Sequence, residues 1–270
     1  MTYSKANTVV DPGAKIGENV TISPFCYIEK DVEIGDNTWI GPNVTIFNGA
    51  RIGRNCKIFP GAVIAGIPQD LKFADEETTA EIGDFTVVRE YVTVNRGTAF
   101  ANKTVVGSHC LLMAYVHVAH DCILGDHVIL ANNVNLAGHV EIADWAILEG
   151  LVAVQQFTKI GIHSFVAGGS LVRKNVPPYI KAAREPLAYA GVNSIGLKRR
   201  KFSPEQINNI HEIYRILFVK GYNISNALQI IDDSFDYSLE KESILSFIRK
   251  ADTGIVKGFQ QVNGSNVYED

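Results

Sequence analysis

The middle of this chain holds residues whose types and spacing suit the activation of a nucleophile: His117, His120, Asp121, Gly138, His139 and Gln156. Gly138 follows His120 by 18 residues and Gln156 follows Gly138 by 18, while His139 follows Asp121 by the same interval. If residues 18 apart stand over one another, one column offers an imidazole, a backbone N–H with no side chain in the way, and a polar amide. A carboxylate and a second imidazole flank that column. A neutral imidazole can take the proton of an attacking hydroxyl, an adjacent carboxylate can orient the ring, and a bare N–H can stabilise the oxyanion.

The chain must wind with that period for the column to exist, and the sequence says that it does. Every sixth residue from Val10 to Ile64 is a branched aliphatic. The register breaks over 66–81, returns at Ile82, Val88 and Val94, breaks again around 100–103, and then runs from Val106 to Val172. The aliphatic position points inward. The fifth position of the hexad is small or β-branched, as in Val20, Thr38, Val44, Ala62 and Val134, as a narrow interior requires. The fourth is largely Asn, Asp, Gly or His (Asn19, Asp31, Asn37, Asn43, Gly49, Asn55, Gly61), residues that tolerate the left-handed backbone of a sharp corner. This pattern predicts an all-β left-handed parallel β-helix of three short strands per coil, so residues 18 apart lie about 4.8 Å from one another.

The same register sorts the histidines. His109, His127, His139 and His163 occupy the corner position, where a corner-tolerant residue facing water explains them without any chemistry. His117 at the sixth position and His120 at the third have no such explanation, and His139 stands apart because it stacks over Asp121. His211 belongs to the later helical part and is expected to be structural. Cys26, Cys56, Cys110 and Cys122 all fall at the small fifth position, which predicts free, buried, inert thiols and a reducing compartment.

Beyond Val176-Pro177-Pro178 the pattern turns helical. Ser203-Pro204-Glu205-Gln206 combines an N-cap serine, proline at the first helical position and glutamine at the third. Ile207, Ile210, Ile213, Tyr214 and Leu217 follow at helical spacing, and amphipathic segments over 225–233 and 238–250 complete a small helical domain. The expected division is a β-helix over 1–185 and a connector with a C-terminal helical domain over 186–270.

With 270 residues, 46% of them hydrophobic, the chain can bury a sizeable core, and a net charge of −4 argues against nucleic-acid binding. No apolar leader lies between Met1 and Pro12 and no stretch is long enough to span a membrane. A cytoplasmic protein without membrane insertion is the expectation.

Met113-Ala-Tyr-Val-His117-Val-Ala-His120-Asp121-Cys122, Leu130-Ala-Asn-Asn and Leu136-Ala-Gly138-His139 resemble the UDP-N-acetylglucosamine O-acyltransferases, which catalyse the first step of lipid A biosynthesis. Gln69-Asp70-Leu71-Lys72, Val176-Pro-Pro-Tyr179, Gly191-Val-Asn193 and Gly196-Leu-Lys-Arg-Arg200 extend the resemblance across nearly the whole chain. The resemblance implies transfer of an (R)-3-hydroxyacyl group from acyl carrier protein, on its phosphopantetheine arm, to UDP-N-acetylglucosamine. It implies no metal and no other cofactor, and a homotrimer with active sites between neighbouring subunits. On the same basis His120 would be the general base, Asp121 its orienting partner and Gly138 the oxyanion donor. Asp70, Lys72, His117, His139 and Gln156 would hold the sugar and pyrophosphate, and Asn193, Arg199 and Arg200 would face the nucleotide or the phosphopantetheine. Gly168 matches the position that limits acyl-chain length. Two departures stand out: better-studied members carry His where this chain has Gln155, and Glu near the uridine where it has Ile195.

Without the resemblance, Asp70 and Lys72 are ordinary solvated loop residues. Four consecutive cations, Lys198 to Lys201, suit an anion site in an acidic chain, or a solvated run leading into a helix. Two rival functions share the fold. A sister N-acyltransferase acylates the 2-amine of the acylated sugar nucleotide, but usually has a further N-terminal domain, whereas the hexads here begin by residue 10. A zinc-dependent carbonic anhydrase would use His117, His120 and His139 as ligands. A scaffold without catalysis would not need the polar column.

Overall fold

The computed structural model describes residues 2–3 and 7–258, so the expected ends of both domains, 1, 4–6 and 259–270, lie outside the described residues. Three sheets of twelve, nine and eight strands, here the first, second and third sheets, wrap one interior. Most strands are two residues long, and each pairs in parallel with strands one coil away. Ile129 lies opposite Ile147 in the first sheet, His117 opposite Asn135 in the second, and Ile123 opposite Glu141 in the third. All three pairs keep the predicted interval.

Strand alternation sends the first residue of each pair outward and the second inward. Ile28, Ile46, Ile64, Leu112, Leu130 and Leu136 are therefore completely buried. Each contributes about 1.5–3 kcal/mol through removal from water. The fifth-position residues close the interior at the corners, with Val20, Val44, Ala62 and Val134 also at 0% exposure. There the cysteines replace a methyl group with a weak donor. The thiols of Cys26, Cys110 and Cys122 donate to the carbonyls of Gly41, Gly125 and Ala137 at 3.1, 3.2 and 3.2 Å, as the Thr38 hydroxyl does to Gly53 at 2.9 Å. All four cysteines are free and buried. Burial pushes the thiols of Cys56 and Cys110 up to about 11 and that of Cys122 to about 12, so none offers a thiolate near neutral pH.

The corners are left-handed, as the sequence predicts: φ is 55° at Asn19, 59° at Asn37, 57° at His109 and 63° at His139. Asp31 is an exception to the expectation. It is not among the residues of positive φ, and its carboxylate instead accepts from the Arg51 guanidinium at 2.7 Å. The class is also broader than Asn, Asp, Gly and His, since Phe85, Tyr91, Tyr115, Trp145, Leu151, Phe157 and Tyr179 adopt the same conformation. A side chain there costs about 1–2 kcal/mol. Ring stacking between successive coils offsets part of it, with centroids 5.4 Å apart at Tyr91–Tyr115 and 3.8 Å at His127–Trp145.

Both breaks in register occur at one edge of the prism. The first insertion leaves the second sheet after Val63–Gly66 and enters the third at Thr79–Ile82. The second leaves the second sheet after Thr93–Asn95 and enters the third at Lys103–Val106. His120 lies at the next turn of that same edge, between His117–Val118 and Ile123–Leu124. The insertions thus converge on the corner that carries the candidate base.

The first sheet does not end near 185. Ile180–Ala183 adds parallel to Phe165–Val166, Ala188–Val192 adds antiparallel to it, and Lys257–Gly258 adds parallel to that. Between the last two strands lie four helices: α1 (Ser194–Arg199), α2 (Pro204–Phe218), α3 (Ile224–Ser234) and α4 (Leu239–Arg249). The predicted capping box at Ser203 and Gln206 forms, and Ile207, Ile210, Ile213, Tyr214 and Leu217 are the buried face of α2. The Tyr214 hydroxyl donates to the Pro178 carbonyl at 2.5 Å, fastening α2 to the last coil. His211 bonds to the Ser194 hydroxyl through Nε2 at 2.9 Å, a structural contact.

Candidate active site

His120 and Asp121 stand at a corner with φ of 59° at Asp121, which turns the carboxylate back beside the imidazole. Asp121 is 3% exposed, and its Oδ2 lies 2.7 Å from His120 Nδ1. The second insertion closes over the other side of the carboxylate. The Thr98 hydroxyl donates to Oδ2 at 2.7 Å, and the N–H groups of Thr98 and Ala101 donate to Oδ1 at 2.9 and 3.2 Å. Burial alone would push the Asp121 carboxyl up, but the hydrogen bond with His120, followed by those from Thr98 and Ala101, outweighs it and holds the group below the usual carboxylate range. An ionised carboxylate only accepts, so His120 Nδ1 carries the proton of that bond and Nε2 is left as the free acceptor.

One coil on, Gly138 stacks against the His120 ring. A β-carbon at 138 would lie 2.5 Å from His120 Cε1 and 2.7 Å from Nε2, so only glycine allows this approach. The N–H groups on either side are used in the ladder, Ala137 to Val154 at 3.1 Å and His139 to His120 at 3.1 Å. Among the described residues no carbonyl accepts from the Gly138 N–H.

His139 lies over Asp121 with its Nδ1 3.8 Å from Oδ2, and its ring crosses that of His120 edge-on at 5.0 Å. Phe157 stacks on its face at 4.4 Å and Phe100 meets it edge-on at 4.6 Å. Its Nδ1 is buried without a hydrogen-bond partner. Burial holds His139 below the usual imidazole range, with His120 acting in the same direction and Asp121 and Asp70 against it. His117 is held low by burial and then by His120, and its Nδ1 bonds to the Thr93 hydroxyl at 2.7 Å. A cavity of about 250 Å³ opens beside this edge, lined by Phe100, Asp121, His139, Phe157 and Lys159, among others.

The remaining predicted residues are dispersed. Asp70 comes near enough for its charge to act on His139, and its Oδ1 accepts from the Lys72 N–H at 3.0 Å in a tight turn. Lys72, Gln155 and Gln156 are exposed. Asn193 and Arg200 belong to a different edge, between the third and first sheets. Asn193 is 5% exposed, donates to the His163 carbonyl at 2.9 Å and caps α1. Arg200 folds back to donate to the Trp145 carbonyl at 3.0 Å with its guanidinium 5.1 Å from the ring centre, while Arg199 and Ile195 are exposed. The run of four cations is therefore split, Arg200 inward and Lys198, Arg199 and Lys201 outward. Gly168 lies on the third edge, its N–H donating to Glu149 at 3.0 Å.

Two expectations need correction. His163 is a corner residue but is not exposed to water: it is 8% exposed, between Trp145 and Tyr179 with Phe202 edge-on. The hexad fixes its backbone, whereas its burial comes from Arg200 and Phe202, which the repeat does not contain. The zinc reading grouped His117 with His120 and His139. Among the described residues the cluster able to hold a cation is instead His120, Asp121 and His139, with ligand atoms within 4.8 Å, while His117 is turned to Thr93. Thr98, Ala101 and Phe100 belong to the site as well, although no motif in the sequence marks them. They lie in the break of the repeat, where periodicity gives no position, and only the position of that break beside His120 pointed to them.

Comparison with known proteins bears on the whole chain. Residues 175–256 match the model described as Udp N-acetylglucosamine O-acyltransferase, domain 2, and residues 31–66 and 103–138 match the bacterial transferase hexapeptide model. An acyl-[acyl-carrier-protein]–UDP-N-acetylglucosamine O-acyltransferase of Chlorobaculum parvum is 49% identical over 92% of this chain and 94% of its own. One from Thiobacillus denitrificans is 41% identical over 92% and 97%. The crystal structure of a UDP-N-acetylglucosamine acyltransferase from Bacteroides fragilis superposes with a TM-score of 0.92 at 50% identity, covering 93% of this chain and 98% of that one. The Francisella novicida UDP-N-acetylglucosamine acyltransferase gives 0.92 at 38% identity, covering 97% and 95%. The fold is a left-handed parallel β-helix with a small C-terminal helical domain.

Proposed function

We propose a mechanism centred on His120 for this chain, which belongs to the family of UDP-N-acetylglucosamine O-acyltransferases. The reaction is transfer of an (R)-3-hydroxyacyl group from acyl carrier protein to the 3-hydroxyl of UDP-N-acetylglucosamine, the first step of lipid A biosynthesis. His120 Nε2 takes the proton of the 3-hydroxyl as its oxygen attacks the thioester carbonyl. The imidazolium is held by Asp121, whose carboxylate is already oriented by its donors. The tetrahedral oxyanion accepts from the Gly138 N–H, and its collapse expels the phosphopantetheine thiolate, which takes the proton back from His120. The observation that carries this reading is the pairing of Asp121 with His120 at 2.7 Å, which leaves Nε2 beside Gly138. No step requires a metal or other cofactor.

Asp70, Lys72, His117, His139 and Gln156 are assigned to the sugar and pyrophosphate, and Asn193, Arg199 and Arg200 to the nucleotide or the phosphopantetheine. Gly168 is assigned to the end of the acyl chain. The dispersal of these residues over three edges supports a homotrimer, in which edges of neighbouring subunits meet. The outward side chains of the first sheet support it too: beyond Lys57, the residues Val87, Leu111, Ile129, Ile147 and Phe165 form an uninterrupted apolar stripe, whereas the third sheet intersperses Val105 and Ile123 with Glu33, Arg51, Glu81, Glu141 and Lys159. Catalysis is assigned to the β-helix, expected over 1–185, and a covering role to the part beyond it, whose four helices lie between Ala188–Val192 and Lys257–Gly258. No helix among the described residues is long and apolar enough to cross a membrane. Together with four free thiols this supports a cytoplasmic location.

Mass spectrometry of products from UDP-N-acetylglucosamine and a panel of 3-hydroxyacyl carrier proteins tests the reaction. A singly O-acylated sugar nucleotide is expected. An N-acylated product, formed only from the already acylated sugar nucleotide, would contradict it.

A further inference from the structure

The second insertion does more than interrupt the repeat. Thr98 is 8% exposed and its Oγ1 stands between two fixed partners. The Phe100 N–H donates to that oxygen at 3.2 Å, so the hydroxyl proton points the other way, to Asp121 Oδ2 at 2.7 Å. The same Oδ2 accepts from His120 Nδ1 at 2.7 Å. The turn is closed by the Asn102 N–H on the Thr98 carbonyl at 2.8 Å, and Phe100, between them, packs on His139.

We infer that Thr98 is a positioning residue that divides the charge of Asp121 and so keeps His120 neutral, and competent as a base, to lower pH than Asp121 alone would allow. This rests on His120 being the base. A carboxylate oxygen bonded to one donor stabilises that donor's charge more strongly than an oxygen shared between two. Removing the hydroxyl leaves more negative charge for the imidazolium, and a higher pH is then needed to hold the ring neutral. The seat of the carboxylate survives, because the N–H groups of Thr98 and Ala101 still hold Oδ1. The other ionisable groups around the ring are unchanged: His117 in the preceding strand, His139 in the next coil, and Asp70 from the first insertion acting on His139.

The test is the pH profile of kcat/KM for the full-length enzyme with acyl carrier protein and UDP-N-acetylglucosamine. In Thr98→Val the acid limb is expected to move up by about 0.5–1 pH unit, while kcat on the plateau falls by no more than about threefold. Thr98→Ser should return the limb to its wild-type place. Should the valine variant fold poorly, Thr98→Ala carries the same expectation. A limb that stays in place or moves down in the folded variant, or one that serine does not restore, overturns the inference. His120→Ala with nearly full activity would instead remove the premise, a result distinct from an unmoved limb in an enzyme that still depends on His120.

Discussion

On the edge between the third and first sheets, His109, His127 and His163 take left-handed corners with φ of 57°, 58° and 58°. On the edge between the second and third, His139 does the same at 63°, above Asp121 at 59°. The backbone is the same and the outcome is not. The first edge is a run of stacked rings, Phe85, His109, His127, Trp145, His163 and Tyr179, in which each imidazole serves as a flat surface. On the second, one corner is an aspartate, the residue before it is His120, and the residue over that is a glycine without room for a β-carbon. A histidine at a corner is thus explained by conformation. What adds chemistry is a buried carboxylate on one nitrogen and open backbone at the other.

That contrast can be broken from either side. Asp121→Asn keeps the shape but removes the charge and disturbs the tautomer, and kcat should fall by about 10²–10⁴-fold with KM for the sugar nucleotide little changed. Gly138→Ala should lower kcat by about 10–10²-fold, since the methyl group displaces the His120 ring or the coil beneath it. Steady-state kinetics on purified variants checks both, and wild-type kcat in either would return this edge to the status of the other.

The ring-stacked edge should respond in stability rather than in rate. Burial, aided by Arg200, pushes the His163 imidazole down to about 4. The unfolded chain binds this proton near 6.5 and the folded chain near 4, so the contribution of a neutral His163 is complete above about pH 6.5 and is lost as pH falls toward 4. His163→Phe keeps a ring and loses the titration. Its melting temperature should fall less than that of the wild type between pH 7 and 5, by about 2–4 °C for each kcal/mol of linkage removed. Parallel melting curves for the two proteins would undo this account of the edge. The smallest effect is expected for His127→Phe, which preserves stacking on Trp145 and should change kcat by less than about twofold.

The repeat made much of this legible in advance. A six-residue period of Ile, Leu and Val dictates which side chains point inward, and the 18-residue coil that follows from it put Gly138 over His120 and His139 over Asp121. The cysteine positions followed from the same geometry. What escaped was whatever the period does not generate. Thr98 and Phe100 sit in a turn whose path no repeat specifies. Arg200 folds inward through its contacts with the Trp145 carbonyl and ring, and His163 is covered by Phe202, none of which a six-residue period specifies. Ala188–Val192 reads as connector because it pairs antiparallel with Ile180–Ala183, outside the parallel hexad register, and its other partner, Lys257–Gly258, is some seventy residues away in sequence.

The central claim is that catalysis belongs to His120 and not to corner histidines in general. Its most direct test compares kcat for His120→Ala and His127→Ala at the pH optimum, with melting temperature and nucleotide-sugar binding measured alongside. The account predicts a loss of about 10²–10⁴-fold for His120→Ala, nearly wild-type kcat for His127→Ala, and intact folding and binding in both. His120→Ala retaining more than about a tenth of wild-type kcat would contradict it, and would move the search for the base to His117 or His139.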